Sequence, residues 1–180
     1  KVIRTTNENP DIVFDDDPLR VLRVVRFATR YGWEIEPKTY ESMKRYVDRL
    51  DIISKERIKD EFNKILLSDN ASMGIRTLCD IGAMKYIIPE VDEMIGMEQN
   101  AYHFGDVFEH TMALLDYDTK HFESEDIAVR LALLLHDIGK IVTKTVGDDG
   151  RVHFYDHEFA GATMVVDILK RLKYDNKTID

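Results

Sequence analysis

Residues 16–27 read DDPLRVLRVVRF, and this stretch decides how the N-terminal part of the chain folds. Asp17 is a favourable N-cap residue and Pro18 suits the first position of a helix, so we predict that a helix begins here. Apolar residues then recur at helical spacing as far as Gly32, which we expect to end the helix as its C-cap. The sequence therefore predicts an amphipathic helix near the N-terminus.

The polar face of this predicted helix carries a row of arginines. They share one broad face at 100° per residue, and they are Arg20, Arg23 and Arg26, with Arg30 one turn further on. The carboxylate of Asp17 lies at the same end as Arg20, so an acceptor and donors are expected together, as the edge of a nucleobase requires. The further guanidinium groups suit phosphates, which they can bind with two parallel hydrogen bonds. On the pattern alone, a solvated arginine face is the more common explanation.

Helical patterns continue along most of the chain, whereas residues 1–16 are polar and predict a loop. Capping residues and apolar periodicity predict further helices after Pro37, after Ser54, and at about 71–84, 106–119, 125–138 and 157–173. Two short runs, 142–146 and 151–155, flank Gly-Asp-Asp-Gly and predict a β-hairpin. The predicted fold class is mainly α with one short β-hairpin.

Composition limits the class of protein. Of the 180 residues, 44% are hydrophobic, which is enough for one sizeable core or two small ones. No uncharged apolar run approaches the roughly 18 residues of a membrane span, and the N-terminal residues are too polar for a secretory signal. Cys79 is the single cysteine, which fits a reducing cytoplasm, and we expect it to be a small buried hydrophobe on a helix. We therefore expect a cytoplasmic protein that does not enter a membrane.

Charge is distributed unevenly along the chain. Residues 1–66 hold 14 Lys and Arg against 13 Asp and Glu, whereas residues 67–180 hold 11 against 21. The net charge of -9 by itself argues against nucleic-acid binding, but the basic side chains are concentrated in the first third and all six histidines lie in the second half. Two regions of different chemistry are expected. Because the chain starts at Lys1 and stops at Asp180 just after a predicted helix, we interpret it as an internal piece of a longer protein.

A second informative group combines histidines with an aspartate. His136 and Asp137 follow the apolar run at 130–135, where an imidazole and a carboxylate without partners would be costly. Metal coordination satisfies both, and these ligand types suit Mn, Fe, Co, Ni, Zn or Mg to differing degrees. His110 is expected on a facing helix. Any one of these histidines alone is more often a surface or core residue than a ligand, so the combination carries the prediction.

The arginine stretch resembles the nucleotide-selecting motif Glu-Asp-x-x-Arg of tRNA nucleotidyltransferases (CCA-adding enzymes) and bacterial poly(A) polymerases, with Asp16 in place of the usual Glu. Residues 53–66, ISKERIKDEFNKIL, are similar to the neck helix of the same family. Within that helix, Arg57 and Glu61 are expected to pair across one turn. The resemblance implies that four residues bind the incoming ATP or CTP, namely Asp17, Arg20, Arg23 and Arg26.

The histidine group resembles the HD superfamily of metal-dependent phosphohydrolases, through His110 and the segment His-Asp-Ile-Gly-Lys at 136–140. Residues 102–111 and 154–162 resemble the HD domain that is attached to many bacterial CCA-adding enzymes. The resemblance implies metal ligands at His110, His136 and Asp137, with His157 as a ligand of a second metal ion or of the substrate and a phosphate contact at Lys140. His153 is a weaker candidate, and His121 is expected at the surface. A distal aspartate ligand is also implied, and the candidates by type are Asp167, Asp175 and Asp180, although the family's position lies further along.

The resemblance also implies a domain organisation and a set of partners. Residues 1–32 are expected to end a nucleotidyltransferase head, 33–92 to form a helical neck or RNA-binding domain, and 93–180 to form a truncated, all-α HD-type domain with the hairpin. The implied partners are tRNA, ATP and CTP. The implied metals are Mg for nucleotidyl transfer, and Mn, Ni, Mg or a similar ion at the HD site.

One requirement of nucleotidyl transfer is missing from this sequence. The reaction needs two metal ions held by carboxylates, which the family supplies from an Asp-x-Asp or Glu-x-Asp pair after a Gly-Ser segment. No such segment occurs here. Residues 15–17 have the Asp-x-Asp pattern but lack the preceding Gly-Ser segment. We therefore expect this chain alone to be inactive in nucleotide addition, while the longer protein that contains it adds CCA, CC, A or a poly(A) tail. Two alternatives remain, a phosphohydrolase acting on nucleotides or 2′,3′-cyclic phosphates, and a non-catalytic module that holds tRNA.

Overall fold

The structure, a computed structural model, describes residues 1–99, 105–122, 124–148 and 150–179. The chain forms two units, Lys1–Ile87 and Ile88–Asp180. Helices dominate both units, which confirms the predicted fold class. Across the described ranges, no helix is both long enough and apolar enough to cross a membrane.

The first unit combines helices with one pair of very short strands. In chain order its elements are β1 (Val2–Ile3), α1 (Pro10–Asp16), α2 (Arg20–Tyr31), β2 (Glu34–Ile35), α3 (Pro37–Tyr46), a 3-10 helix (Val47–Ile52), α4 (Lys55–Leu66), α5 (Ala71–Asp80) and α6 (Met84–Ile87). The two strands pair in parallel, with Val2 opposite Glu34 and Ile3 opposite Ile35. This pair was not predicted, because strands of two residues are too short to show an alternating pattern.

Helix α1 corrects the prediction that residues 1–16 form a loop. The side chain of Asn9 caps it by accepting a hydrogen bond from the backbone N–H of Asp11 at 3.2 Å, and Pro10 occupies its first turn. Phe14 of this helix is fully buried. The pair Asn9-Pro10 carries the same signal as Asp17-Pro18, so the helix was recognisable from the sequence.

Helix α2 begins two residues later than predicted, at Arg20 instead of Pro18. Asp17 and Pro18 form a preceding turn, in which the carboxylate of Asp17 accepts a hydrogen bond from the backbone N–H of Leu19 at 3.2 Å. Arg20 is the first helical residue. At the other end, Gly32 adopts the left-handed conformation with a φ of 61°, which confirms the predicted C-cap.

The core of the first unit forms where α2 packs against α4 and α5. Gly74 on α5 allows a close approach, because a Cβ there would lie 2.5 Å from Cγ2 of Ile65 and 2.6 Å from Cγ2 of Thr29. The apolar face of α2 is buried by this packing, through Val21, Leu22, Val25, Ala28 and Thr29. The arginine face of α2 is therefore left on the outside.

The helix predicted at 71–84 is two helices in the structure. Helix α5 ends at Asp80, and Gly82 has a φ of 78°, which favours glycine and breaks the helix before α6 begins at Met84. Ser54 caps α4 as predicted, since its Oγ accepts a hydrogen bond from the backbone N–H of Arg57 at 3.4 Å. Cys79 is half-buried on α5 rather than fully buried.

The second unit consists of helices and one short hairpin in its described residues. Its elements are α7 (Pro89–Glu93), α8 (Val107–His121), α9 (Ile127–Leu135), α10 (Lys140–Thr143), β3 (Thr145–Val146), β4 (Val152–His153), α11 (His157–Arg171) and α12 (Asn176–Ile179). Thr145 lies opposite His153 in an antiparallel pair, which confirms the hairpin, although Val142 belongs to α10 instead of the first strand. The helix predicted at 125–138 ends at Leu135, which leaves His136 and Asp137 in a turn.

A buried ion pair joins α8 to α9. The side chain of Arg130 is 2% exposed and that of Asp118 is 8% exposed, and Nε of Arg130 lies 3.1 Å from Oδ2 of Asp118. The guanidinium also donates to Oγ1 of Thr119 at 3.2 Å and to the carbonyl oxygen of Ser124 at 3.1 Å. The buried guanidinium of Arg130 is tolerated because it is paired with a carboxylate and donates hydrogen bonds.

Candidate nucleotide-selecting helix and metal site

The arginine row lies on the outer face of α2. Arg23 and Arg30 are exposed, whereas Arg20 and Arg26 are half-buried. The guanidinium of Arg30 lies 5.7 Å from the ring centroid of Tyr31, within cation–π range. The four arginines thus differ in how firmly the fold holds them.

Arg26 is fixed by a carboxylate of α4. Its Nε lies 3.2 Å from Oε2 of Glu61, in a pair whose side chains are only 18% and 9% exposed, and its guanidinium carbon lies 4.4 Å from the ring centroid of Phe27. Lys64 also reaches Glu61, with 3.4 Å between Nζ and Oε1. The predicted pair of Glu61 with Arg57 is wrong. An i, i+4 pair contributes only a few tenths of a kcal/mol, so a half-buried partner from another helix outweighs it.

The Arg26–Glu61 pair leads to a stability prediction. Changing Glu61→Gln is expected to lower the free energy of unfolding of the first unit by about 1–3 kcal/mol, because the half-buried guanidinium of Arg26 loses its charged partner. Urea denaturation followed through Trp33, the single tryptophan of the chain, measures this change. The control is Lys64→Met, whose side chain is 53% exposed and whose effect is expected to stay within about 0.5 kcal/mol. Equal midpoints for the two variants would show that the pair has no structural role.

The candidate base-reading residues, Asp17 and Arg20, lie in one turn at the start of α2. Nη2 of Arg57 lies 3.3 Å from Oδ2 of Asp17, while Arg20 pairs with Asp16 at 2.8 Å and donates to the carbonyl oxygen of Val13 at 3.1 Å. A carboxylate offers about four lone-pair sites and a guanidinium five N–H donors, so both groups retain capacity for a further ligand. The arrangement can present an acceptor and a donor side by side.

The second unit brings together three of the predicted metal ligands. One ligand atom from each of His110, His136 and Asp137 lies within 4.8 Å of the others. His110 comes from α8, while the other two occupy the turn after α9. With bonds of about 2.0–2.2 Å, opposite ligands of one ion are at most roughly 4.4 Å apart, so a small adjustment closes this group on an ion.

Backbone carbonyls orient the imidazoles at this site. Nδ1 of His136 lies 2.9 Å from the carbonyl oxygen of Leu133, and Nδ1 of His157 lies 2.8 Å from that of Phe154. When each Nδ1–H donates to its carbonyl, each Nε2 keeps its lone pair for a metal ion. The Nε2 atoms lie 3.2 Å (His136) and 3.6 Å (His157) from the carboxylate of Asp137. This set of imidazole nitrogens and carboxylate oxygens fits a divalent transition-metal ion.

Asp137 is the buried centre of the group, and the ammonium of Lys140 donates to it at 2.8 Å and to Oε1 of Gln99 at 2.7 Å. Burial works to raise the pKa of Asp137, but hydrogen bonds from His136 and Lys140 outweigh it and hold that pKa well below its usual range. Burial works to lower the pKa of His136, whereas the hydrogen bond and charge of Asp137 raise it, and the net shift is upward. A metal ion must displace the imidazole proton, so its affinity is expected to fall as the pH falls.

A cavity of about 470 Å³ opens beside these ligands, and its other side is formed by residues of β4 and the turn after it, namely His153, Phe154 and Tyr155. His121 is exposed at the end of α8, as predicted. Within the described residues, the ligand group does not include Asp167 or Asp175, and Asp175 instead accepts a hydrogen bond from the backbone N–H of Thr178 at 2.9 Å. The remaining candidates, Asp180 and the segment 102–104, lie outside the described residues.

Two glycines, Gly139 and Gly161, lie where the turn that carries Asp137 packs against α11. A Cβ on Gly139, in the turn before α10, would lie 2.0 Å from the carbonyl oxygen of His157 and 2.5 Å from the backbone nitrogen of Gly161. The backbone of α11 therefore touches the turn that carries Asp137. The spacing of Gly139 from the His-Asp pair was visible in the sequence, but its partner on α11 was not.

Family comparisons agree with this architecture. Residues 32–95 match the family described as the probable RNA- and SrmB-binding site of polymerase A, and residues 100–180 match the HD domain family. The fold and the site thus define a class of protein, in which a polymerase-A-type helical domain precedes an HD domain. Each family covers less than half of the chain, and together they cover most of it.

Curated relatives narrow this class to one family. The chain is 36% identical over 163 residues to the A-adding tRNA nucleotidyltransferase of Deinococcus radiodurans, covering 87% of this chain and 38% of that protein. It is 34% identical over 171 residues to the multifunctional CCA protein of Chromobacterium violaceum, covering 93% and 41%. The chain belongs to the family of tRNA nucleotidyltransferases and bacterial poly(A) polymerases with an attached HD domain, and it spans about two fifths of the length of these relatives.

Solved structures share the fold. The CCA-adding enzyme of Thermotoga maritima complexed with tRNA superposes with a TM-score of 0.56 at 22% identity, over 99% of this chain and 36% of that one. A tRNA-processing enzyme in an apo form gives a TM-score of 0.61 at 18% identity, over 99% and 41%. At these identities the likeness establishes the fold.

Proposed function

We propose that this chain is the nucleotide-selecting and RNA-holding part of a tRNA 3′-end nucleotidyltransferase, with tRNA, ATP and CTP as partners and Mg as the metal of nucleotide addition. The observation that carries the proposal is the outer face of α2, where Asp17 and Arg20 share a turn and Arg23 faces solvent. An acceptor beside a donor can read a base edge, and further guanidinium groups can hold phosphates. The names of the curated relatives support the same assignment.

The motifs also support a proposed division of the chain into three domains. Residues 1–32 end the nucleotidyltransferase head, 33–92 form the neck or RNA-binding domain, and 93–180 form the HD-type domain. The cytoplasm, where a reduced Cys79 is expected to persist, is the proposed compartment.

The first test of this function measures whether the chain extends tRNA and whether it binds tRNA. Incubated with CTP, ATP, Mg and tRNA that lacks its 3′ end, the 180-residue chain is expected to leave the RNA unextended, because its sequence lacks the paired carboxylates that hold the two metal ions. It is nonetheless expected to bind tRNA, with an affinity that falls steeply with salt. Primer extension and filter binding measure the two properties.

A matched pair of variants locates the bound RNA. Arg23→Ala is expected to reduce the slope of log affinity against log salt by about 1, because one phosphate contact is lost. The control is Lys177→Ala, which removes an exposed cation from α12 of the second unit and is expected to leave the slope unchanged. Extension of the RNA would contradict the missing-carboxylate argument, and equal slopes for both variants would contradict the role of α2.

A second function, hydrolysis of nucleotides or 2′,3′-cyclic phosphates, is proposed for the second unit. The observation that favours it is the cluster of His110, His136 and Asp137, which would hold a divalent ion such as Mn, Ni or Mg. Such an ion, when bound, polarises the phosphoryl oxygen and lowers the pKa of a bound water. His157 directs Nε2 toward Asp137 and the same cavity, where it can contact the substrate phosphate or a second ion, and Lys140 balances the charge of Asp137. In hydrolysis of a cyclic phosphate, the water oxygen bonds to phosphorus, one P–O bond to the ribose breaks, and the released oxygen takes the proton.

Metal binding tests this second function. The double variant His136→Ala/Asp137→Ala is expected to lose at least about 100-fold in affinity for whichever of Mn, Ni, Mg or Zn the chain binds, since loss of an outer partner alone costs about 10–100-fold. Calorimetric titration measures the affinity, and hydrolysis of 2′,3′-cyclic AMP is expected to disappear with it. His121→Ala, an exposed histidine of α8, is the control and should retain both properties. If the unsubstituted chain binds no metal ion and hydrolyses no cyclic phosphate, nucleotide selection and tRNA binding remain as its role.

A further inference from the structure

Two aromatic rings line the cavity beside the candidate metal site, and neither belongs to the group of His110, His136 and Asp137. The rings of His153 and Tyr155 stack, with 5.1 Å between centroids and 9° between planes. Oη of Tyr155 lies 3.3 Å from Nδ1 of His153. Tyr155 is nevertheless 69% exposed, so stacking on His153 covers one face of its ring and leaves the other to solvent.

The residue between these two rings anchors them to the metal site. Phe154 lies under the ammonium of Lys140, with 5.4 Å between Nζ and the ring centroid, and its carbonyl oxygen accepts from His157. Lys140 in turn is buried against Asp137. The segment that carries the stacked pair is thus tied at two points to the metal-binding group, which keeps the open face of Tyr155 at a defined place beside it.

The stacked pair shares a cavity with the metal ligands. His153 and Tyr155 line the same space of about 470 Å³ as His110, His136 and Asp137. This volume lies within the range of about 300–1,000 Å³ that is typical of small-molecule sites. A small molecule whose phosphate lies beside the three metal-binding residues therefore contacts a flat aromatic surface within the same cavity.

We propose that His153 and Tyr155 form a stacking platform that makes this site selective for phosphates carrying a nucleobase, such as a nucleotide or the 3′ end of an RNA. This inference rests on the proposed hydrolytic function of the second unit and names its substrate class. Bases stack on exposed aromatic rings with little preference among themselves, because every base presents a π face. An ester without a base would gain nothing from the platform, so the platform selects the class of substrate and leaves the chemistry to the ligand group.

Binding to the metal-free chain tests the platform without relying on catalysis. Nuclear magnetic resonance titration compares 3′-AMP with ribose 3-phosphate, which lacks the base. Tyr155→Ala is expected to reduce the preference for 3′-AMP by about 5- to 150-fold, the effect that alanine substitution has on base stacking, whereas Tyr155→Phe keeps the preference within about twofold. The control is Phe159→Ala, since Phe159 is as exposed as Tyr155, at 71%, but does not line the cavity.

Hydrolysis by the metal-loaded chain separates the two proposals. If 2′,3′-cyclic AMP is cleaved and Tyr155→Ala shifts the preference for it over a base-free ribose cyclic phosphate, both the hydrolytic function and the platform are supported. Cleavage with a preference that Tyr155→Ala leaves unchanged would overturn the platform alone. Absence of cleavage would overturn the hydrolytic function, and the binding preference of the metal-free chain would then decide the platform by itself.

Discussion

Replacing Gly139 by alanine is expected to lower the free energy of unfolding of the second unit by at least about 4 kcal/mol, an exceptional loss for one methyl group. The added Cβ would lie 2.0 Å from the carbonyl oxygen of His157, 2.5 Å from the nitrogen of Gly161 and 2.9 Å from its Cα. All three are backbone atoms, so no rotation of a side chain relieves the overlap, and α11 must move as a whole. Because His157 begins α11, the same change is expected to weaken metal binding.

A second glycine at the same contact provides the control for Gly139→Ala. A Cβ on Gly161 would lie 3.3 Å from the nitrogen of Gly139, a tight contact that a shift of a few tenths of an ångström relieves, and 3.6 Å from its Cα, which is an ordinary contact. Alanine within a helix is also favoured over glycine by up to about 1 kcal/mol, so Gly161→Ala is expected to stay within about 1 kcal/mol of the parent. Hydrogen exchange measured on peptides from α11 reports both variants. If α11 in Gly139→Ala is protected from hydrogen exchange as well as in the unsubstituted chain, the close packing of the turn on this helix is refuted.

Removing the guanidinium of Arg130 is expected to cost the second unit about 3–5 kcal/mol. Arg130→Met keeps the volume of the side chain but leaves the carboxylate of Asp118, 8% exposed, without its cation. An uncompensated buried charge is far more costly than the net value of the pair that it belonged to. Hydrogen exchange of peptides from α8 and α9, and urea denaturation followed by circular dichroism, measure the loss.

The double variant Arg130→Met/Asp118→Leu decides whether this loss comes from the stranded charge. Apolar replacement of both partners of a buried ion pair is often neutral or stabilising, so the double variant is expected to recover most of the lost stability. If it is instead as unstable as the sum of the two single variants, then the hydrogen bonds of Arg130 to Thr119 and Ser124 carry the stabilisation.

Local signals in the sequence determined most of the helices and identified the candidate site residues. Gly32 ends α2 and Ser54 caps α4 because these preferences act within one turn of the backbone. The His-Asp pair follows an apolar run, and that run is α9 in the structure. The family also followed from short motifs, since each motif is a set of neighbouring residues. Where the same local signal was overlooked, at Asn9-Pro10, the helix was missed.

Only the tertiary structure decided which distant residues became partners. Glu61 pairs with Arg26 of another helix instead of Arg57 on its own, and Gly139 touches the backbone of α11. It also set the distances within the group of His110, His136 and Asp137, although the residue types were already visible. The physical reason is range: capping and periodicity act over a few residues, whereas ion pairs and close packing depend on how elements meet in space. Competition between partners far apart in the chain is resolved by burial, which a sequence pattern does not contain.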